Sequence, residues 1–317
     1  MAGHPLRIFS GSCYPELVKE ISSILEIPVG KSTTTHLADS EIHVKIDEVV
    51  RENDVFLVQS ITRPVNDAIM ELLLYIDAFR RASANKINVI IPYFPYARQE
   101  RMSTGRESIS ARVIADLIER QGATRVIFID IHNPAIQGFF NIPVDPISAI
   151  AVLCNQLNKF DLSNSVIVSP DVGRASLAGK YAEILGLPLV VMHKRRETFS
   201  QTRVTHIVGD IDGKHPIIID DMIAGGSVLN QIETLYEKGA AQNTWLSITH
   251  PILLPSAINA IIKDNHIEKV FVTNTLPLPD ESKTCEKFIQ ISIAPLLSEI
   301  IKRIYEGKSI SNQLILS

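Results

Sequence analysis

Along the chain, short apolar runs rich in β-branched residues alternate with longer stretches in which apolar positions recur every three to four residues. The runs VFLVQS (55–60), INVIIPYF (87–94), RVIFIDIH (125–132), SVIVSPD (165–171), LPLVVMHK (187–194), HPIIIDD (215–221), WLSITH (245–250) and KVFVTNT (269–275) predict strands. Helical spacing marks NDAIMELLLYIDAFRRAS (66–83), SISARVIADLIERQG (108–122) and SVLNQIETLYEKGA (227–240). The strand runs are continuously apolar rather than alternating, so both of their faces are covered, which predicts parallel sheets in an α/β fold. One strand–helix series occupies residues 1–147 and a second occupies 148–317, with NIPVDPISAI (141–150) and its two prolines as the expected crossing. A length of 317 residues exceeds what one hydrophobic core usually organises and agrees with two domains.

In open parallel sheets ligands collect beyond the carboxyl ends of the strands. The chain offers polar groups at five such ends: YARQER after IIPYF, DIH after VIF, SPDVG after VIV, HKRR after LVV, and DDMIAGGS after III. A single strand-terminal aspartate is usually a helix cap or a turn residue, but five polar ends in one chain point to a site. The formal net charge of −4 provides no chain-wide basic field, so no nucleic-acid partner is expected and anion binding must come from local groups. Cys13, Cys154 and Cys285 are widely spaced and contain no CxxC pair, which predicts buried thiols rather than disulfides or a zinc cluster. The amino-terminal MAGHPLRIFSGSCYPE lacks a long apolar segment and no run reaches membrane-spanning length, so a cytoplasmic protein without a membrane partner is expected.

The segment IIIDDMIAGGSVLNQ (217–231) carries the most chemistry. Gly225 and Gly226 lack Cβ atoms, so the backbone can take positive φ and aim several N–H groups at one anion, with Ser227 opening the following helix. The helix dipole would add to that grip. The GxxxxGK[ST] spacing of a Walker loop is absent. Asp220 and Asp221, as pure acceptors when ionised, suit sugar hydroxyls or the water shell of a metal. A phosphorylated sugar needs both halves of the segment, while a tight turn with an acidic cap would need neither.

With these residues in view, DDMIAGGS resembles the ribose-phosphate loop of phosphoribosyltransferase-fold proteins, and the whole chain resembles the ribose-phosphate pyrophosphokinase (PRPP synthetase) family. The resemblance rests on ADSEIHVKI (38–46), VQSITRPVNDAIMELLLYIDAFRRASA (58–84), IPYFPYARQER (91–101), DIHNPAIQGFF (130–140), SPDVG (169–173), HKRR (193–196) and the aspartate pair. It implies two phosphoribosyltransferase-like domains, each with a central, mostly parallel sheet flanked by helices. Residues 1–147 would form the ATP side and 148–317 the ribose 5-phosphate side. The implied reaction passes the β,γ-diphosphate of ATP to the C1 hydroxyl of ribose 5-phosphate, giving PRPP and AMP. It requires Mg²⁺ and a homo-oligomer built from dimers, commonly a hexamer.

Carried onto this sequence, the resemblance assigns the ribose hydroxyls to Asp220 and Asp221, directly or through a metal's waters, and the 5-phosphate to Ala224, Gly225, Gly226 and Ser227. His132 and Asp171 match metal-associated positions, with Asp130 orienting the histidine, which equally suits the ATP phosphates because magnesium prefers oxygen ligands. Lys194 and Arg196 match catalytic cations on a mobile loop, where positive charge stabilises the transferring diphosphoryl group. Arg98, Gln99 and Arg101 match residues around the nucleotide, and Leu37, Asp39 and Glu41 match an adenine-reading loop that reaches the site of a neighbouring subunit. Arg51, Arg81, Ser83, Ser309 and Ser311 lie in stretches that resemble the family's ADP and phosphate effector regions.

The chain also departs from the family. Its loop is one residue shorter than the common DDMIDTGGT, Leu37 stands for a phenylalanine, and Glu100 and Met102 stand where Asp and Lys are frequent. Arg174 is displaced relative to the family's arginine. Two alternatives follow: a catalytically weak regulatory subunit of the same fold, and a PRPP-consuming phosphoribosyltransferase. The second leaves residues 1–147 without a task.

Overall fold

The computed structural model describes residues 4–196, 202–226 and 229–313. The chain divides into two compact units, one formed by residues up to 148 together with those from 292 onward, the other by 149–291. The carboxyl-terminal segment thus belongs with the first unit.

The first unit contains β1 (Leu6–Ser10), α1 (Pro15–Leu25), β2 (Ser32–His36), β3 (Ile42–Ile46), β4 (Asp54–Val58), α2 (Val65–Arg81), β5 (Lys86–Ile91), α3 (Ser110–Gln121), β6 (Arg125–Ile129) and β7 (Val144–Ile147). Its main sheet is wholly parallel, in the order β1-β4-β5-β6-β7, while β2 and β3 form a separate antiparallel hairpin. Every residue of β4 is buried, as its unbroken apolar run requires for a strand with both faces covered. Phe9, Leu57, Leu72, Phe79, Val89, Phe94 and Phe128 pack in the core between this sheet and α2 and α3. Helix α3 stops at Gly122, whose φ of 119° closes the last turn with N–H bonds to Glu119 and Ile118; a Cβ there would also lie 2.8 Å from Arg80 Cδ. The segment 141–150 is not merely a crossing: β7 runs through it at the sheet edge, where Pro146 withholds no needed N–H.

The second unit contains α4 (Ile150–Leu157), β8 (Ser165–Ser169), α5 (Ala175–Leu185), β9 (Leu189–Arg196), β10 (Thr202–Val208), β11 (His215–Ile223), α6 (Leu229–Glu237), β12 (Thr244–Pro251), α7 (Pro255–Lys263), β13 (Ile267–Thr273), α8 (Asp280–Lys283) and β14 (Phe288–Ile291). The seven strands lie in the order β10-β9-β8-β11-β12-β13-β14, parallel except for β10 against β9. From β8 the chain winds to one side through β9 and β10, and from β11 it winds to the other. The neighbouring ends of β8 and β11 are therefore the point where the winding reverses, the position at which open α/β sheets bind ligands. One face is filled by Ile218, Leu246, Ile248, Ile258 and Val270, the other by Ile167, Ile217, Ile219, Trp245 and Phe271. The chain closes with α9 (Ala294–Tyr305) in the first unit, where α9 packs against α1 and Ser292 Oγ donates to Glu20.

Among the cysteines, Cys154 is buried, and burial pushes its thiol up to about 12, whereas Cys13 and Cys285 are only partly covered; all three are unpaired. Ile218 is fully buried at the centre of the second sheet. Ile218→Ala should cost about 3 kcal/mol through lost burial and the cavity left behind, measured as a lower urea midpoint in circular dichroism.

Candidate active site

In the second unit β11 runs longer than its neighbour. It pairs with β8 only from His215 to Ile218, but it stays paired with β12 through Asp220 and Met222 as far as Ile223. The aspartate pair thus lies at the end of the strand, as the run HPIIIDD predicts, and β11 continues past it to Ile223. Adjacent residues on a strand point to opposite faces. The two side chains nevertheless meet in a hydrogen bond, beside an edge of β11 that is open where β8 has stopped.

That space is taken by the loop after β8. Ser169 Oγ donates to the Asp171 carbonyl at 2.7 Å, and Asp171 Oδ1 accepts from the Arg174 N–H at 3.1 Å, capping a 3-10 turn over Val172–Arg174. From this turn the Arg174 guanidinium reaches both acids: its Nε lies 3.3 Å from Asp220 Oδ1 and a terminal nitrogen lies 2.9 Å from Asp221 Oδ1. The Asp221 N–H also donates to Asp220 Oδ1 at 2.9 Å. Asp221 is almost fully buried, while a quarter of the Asp220 side chain remains exposed. Burial first, and the neighbouring Asp221 second, push the Asp220 carboxyl well above its ordinary value of 3.8, against the pull of Arg174. Its remaining contact with solvent tempers the shift without changing its direction.

Downstream, the Ala224 carbonyl accepts from Leu254 N–H at 2.9 Å, and a Cβ built on Gly225 would meet nothing within 4 Å. Neither Gly225 nor Gly226 takes a left-handed φ, so the glycines leave this stretch open rather than making the positive-φ turn their sequence allows. Ser227 lies outside the described residues. Lys194 and Arg196 fall in β9, their backbones registered against Val204 and Thr202 of β10, and not in a loop; their side chains lie outside the description.

In the first unit the nucleotide candidates gather at the ends of β5 and β6. Tyr96, with φ of 57°, turns the chain after β5 and donates its hydroxyl to Asn66 Oδ1 at 2.6 Å. Gln99 caps the approach to α3, accepting at its Oε1 from Ser110 Oγ at 2.7 Å, while Arg98, Gln99 and Arg101 are exposed. Glu100 ties this loop to the next one: its Oε1 accepts from Asn133 Nδ2 at 3.3 Å and lies 3.6 Å from Arg101 Nε. That bond brings His132, half-buried beside Asn133, to the same strand ends. Asp130, buried, holds a φ of 34°, a conformation uncommon outside glycine that is often found where a site demands it.

Leu37, Asp39 and Glu41 lie at the exposed tip of the β2–β3 hairpin, which is closed by Leu37 N–H to the Glu41 carbonyl at 2.8 Å and by Glu41 N–H to Asp39 Oδ1 at 3.2 Å. The Arg51 and Ser83 segments meet through Glu52 N–H to the Ser83 carbonyl at 2.9 Å, and Ser309 Oγ lies 2.9 Å from Ser311 Oγ. The sequence pattern treats Arg174 only as a displaced arginine. A basic residue in the loop after β8 is visible there, but the adjacency of β8 to β11 that gives it a partner is not.

Comparison with known proteins settles the lineage. Residues 6–122 match the model of the N-terminal domain of ribose phosphate pyrophosphokinase, 145–244 the phosphoribosyl transferase domain, and 197–315 the phosphoribosyl synthetase-associated domain. The ribose-phosphate pyrophosphokinase of Bacillus subtilis is 43% identical over 96% of both chains, and that of Wolinella succinogenes 43% identical over 98% of this chain and 99% of its own. The crystal structure of phosphoribosylpyrophosphate synthetase from Mycobacterium smegmatis superposes with a TM-score of 0.89 at 38% identity, covering 96% of this chain and 99% of that one. The chain belongs to the ribose-phosphate pyrophosphokinase family. The family's two phosphoribosyltransferase-like folds correspond to the two units described above. No helix among the described residues is long and apolar enough to cross a membrane.

A carboxyl held above its unfolded value adds stability at low pH and loses it as pH rises through the folded value. Asp220→Asn, which cannot ionise, should therefore raise the melting temperature near pH 8, with the gain shrinking towards about pH 4. Parallel thermal scans at the two pH values check the sign.

Proposed function

We infer that the chain works as a ribose-phosphate diphosphokinase, transferring the β,γ-diphosphate of ATP to the C1 hydroxyl of ribose 5-phosphate to give PRPP and AMP. The observation that carries this reading is end-to-end relatedness: both units, and not only the second, match ribose-phosphate pyrophosphokinases. A PRPP-consuming transferase would leave the first unit, with its YARQER and DIH strand ends, unexplained. The shortened loop favours a regulatory subunit as a second reading, but Lys194, Arg196, His132, Asp220 and Asp221 are all retained, and these are the groups that drift would be expected to erode first.

In this reading Asp220 and Asp221 accept from the ribose hydroxyls while Ala224, Gly225, Gly226 and Ser227 receive the 5-phosphate on backbone N–H groups, helped by the open space beside Gly225. Arg98, Gln99 and Arg101 bind the nucleotide, with guanidinium groups suited to phosphate oxygens and to stacking. Lys194 and Arg196 stabilise the charge spread over the diphosphoryl oxygens during transfer, an effect larger in the transition state than in the ground state.

Magnesium keeps most of its waters and needs only one or two protein carboxylates beside substrate phosphates. Among the described residues no group of three or more His, Cys, Asp and Glu forms a metal cage, and the half-buried Asp171 at a strand end is a carboxylate of the kind such a site requires. Asp171 would hold the ion, with His132 on the nucleotide side. When bound, the ion supplies charge neutralisation across the ATP phosphates.

The exposed Leu37–Glu41 tip serves a neighbouring copy in a homo-oligomer assembled from dimers, with ADP and phosphate as effectors near the Arg51, Arg81 and Ser83 segments. The cytoplasm, where both substrates are available, is the expected compartment.

AMP should be released from ATP only when ribose 5-phosphate is supplied. Binding of ATP without AMP release would identify the regulatory subunit, and consumption of PRPP with a nucleobase would identify the transferase. Lys194→Ala should lower kcat by about 10²–10³ while the KM for ATP changes by less than about threefold. Equal losses in both constants would remove Lys194 from the transfer step.

A further inference from the structure

Pairing between β11 and β12 ends at Ile223 beside Pro251, and a proline has no N–H with which to carry it further. Two residues on, the chain donates to β11 again. Leu253 N–H bonds to the Ile223 carbonyl at 2.9 Å, and Leu254 N–H bonds to the Ala224 carbonyl at 2.9 Å. Successive N–H groups of an extended strand point to opposite sides, so two neighbouring residues can face one strand only where the backbone between them leaves the extended form. Leu253 supplies that departure with a φ of 43°. A bulky side chain seldom takes this conformation, which glycine adopts freely. Yet Leu253 is fully buried, in the apolar core that also contains Ile223 and Ile258. Leu254, at φ −65° and ψ 150°, then opens α7, its carbonyl accepting from Ala257 N–H at 2.8 Å and Ile258 N–H at 3.1 Å. The turn is thus held by a buried side chain on one side and by a helix start on the other.

We propose that Leu253 is a positioning residue for the 5-phosphate: its left-handed turn captures two consecutive carbonyls at the end of β11 and so turns the N–H groups of Ala224 and Gly225 together towards the anion. The proposal rests on the reading of residues 224–227 as the phosphate segment.

A planar trans peptide points its C=O and its N–H in opposite directions. With the Ile223 carbonyl bonded to Leu253, the Ala224 N–H is aimed away from the turn, and with the Ala224 carbonyl bonded to Leu254, the Gly225 N–H is aimed away as well. Adjacent N–H groups that face the same way form the concavity in which backbone binds anions. The same two bonds keep the Ile223 and Ala224 oxygens, which would repel a phosphate, on the opposite side. Space is available there, since a Cβ built on Gly225 would meet nothing within 4 Å. Neither Gly225 nor Gly226 takes a left-handed φ, so the change of peptide direction that a glycine commonly supplies is imposed here from another loop.

The test uses the full chain and reads ribose 5-phosphate affinity by calorimetry, the phosphorus NMR resonance of the bound sugar phosphate at saturation, and the KM for ATP. Leu253→Gly, which frees the turn, should weaken ribose 5-phosphate binding by about tenfold or more and move the bound resonance towards its free position. The KM for ATP should stay within about twofold. Leu253→Met, of similar volume, should bind the sugar phosphate within about threefold of wild type. Ile261→Ala opens a cavity in the same core from within α7, away from the turn, and should leave the bound resonance at its wild-type position. Wild-type affinity and resonance in Leu253→Gly overturn the proposal. An equal shift of the resonance in Ile261→Ala also overturns it, by making the effect one of general loosening. If Leu253→Gly does not fold, hydrogen exchange of the wild-type chain decides: ribose 5-phosphate should slow exchange at the Leu253 and Leu254 amides while ATP alone does not, and unchanged exchange there overturns the proposal. If the wild-type chain binds ribose 5-phosphate without shifting its phosphorus resonance, the phosphate reading of residues 224–227 fails and the proposal falls with it. A normal wild-type response beside an unaffected Leu253→Gly removes only the role of Leu253.

Discussion

A parallel sheet covered on both faces leaves its strands only their ends at which to present polar side chains. This constraint organises both units. Along β4, β8 and β12 every residue is buried, and hydrogen bonds to neighbouring strands consume the backbone groups. Chemistry is displaced to where pairing stops, and pairing stops at different levels on adjacent strands. In the second unit β8 gives out at Val168 against Ile218 while β11 continues to Ile223. That offset exposes one edge of β11 over the residues that carry the two acids, and it admits the turn that bears Arg174.

The offset also sets the electrostatic balance. Burying Asp221 beside Asp220 is costly, since charges taken from water must be compensated by specific partners. The Arg174 guanidinium lies against Oδ1 of each acid, and of the two acids Asp220 is the one whose carboxyl burial and its neighbour push towards the protonated form.

The limits of the sequence pattern follow the same geometry. The runs recognised from continuous apolarity correspond to β4, β5, β6, β8, β9, β11, β12 and β13, which are all the interior strands of the two main sheets. The strands that escape it, β1, β7, β10 and β14, are the four edges. An edge strand is covered less completely, as the mixed burial of LRIFS and FIQI shows, and β7 has only four residues, one of them a proline. The β2–β3 hairpin alternates partly covered and exposed positions, so its signal is of another period and weaker. Candidate site residues fare similarly. Those that occupy strand ends were legible because residue type and position along the chain suffice to find them. Arg174 was not, because its role depends on which strands are neighbours, and a sheet's spatial order is not written in its periodicity.

The first unit supplies a contrast that separates structural from functional buried acids. Glu71, 2% exposed in the middle of α2, accepts from Ser12 N–H at 2.7 Å, Ser12 Oγ at 2.6 Å and Thr34 Oγ1 at 3.3 Å. Its partners are neutral donors, one from the loop after β1 and one from strand β2, and they involve both of its oxygens. Such a carboxylate ties the loop after β1 and strand β2 to α2, and it is committed to that task. Asp220 and Asp221 differ on each count: they stand at a strand end, their shared partner is a cation, and the contacts they make with it converge on one oxygen of each. A buried acid becomes a candidate for binding when it stands at a strand end against a cation instead of being tied to neutral groups within its own unit, and that contrast distinguishes the end of β11 from the middle of α2.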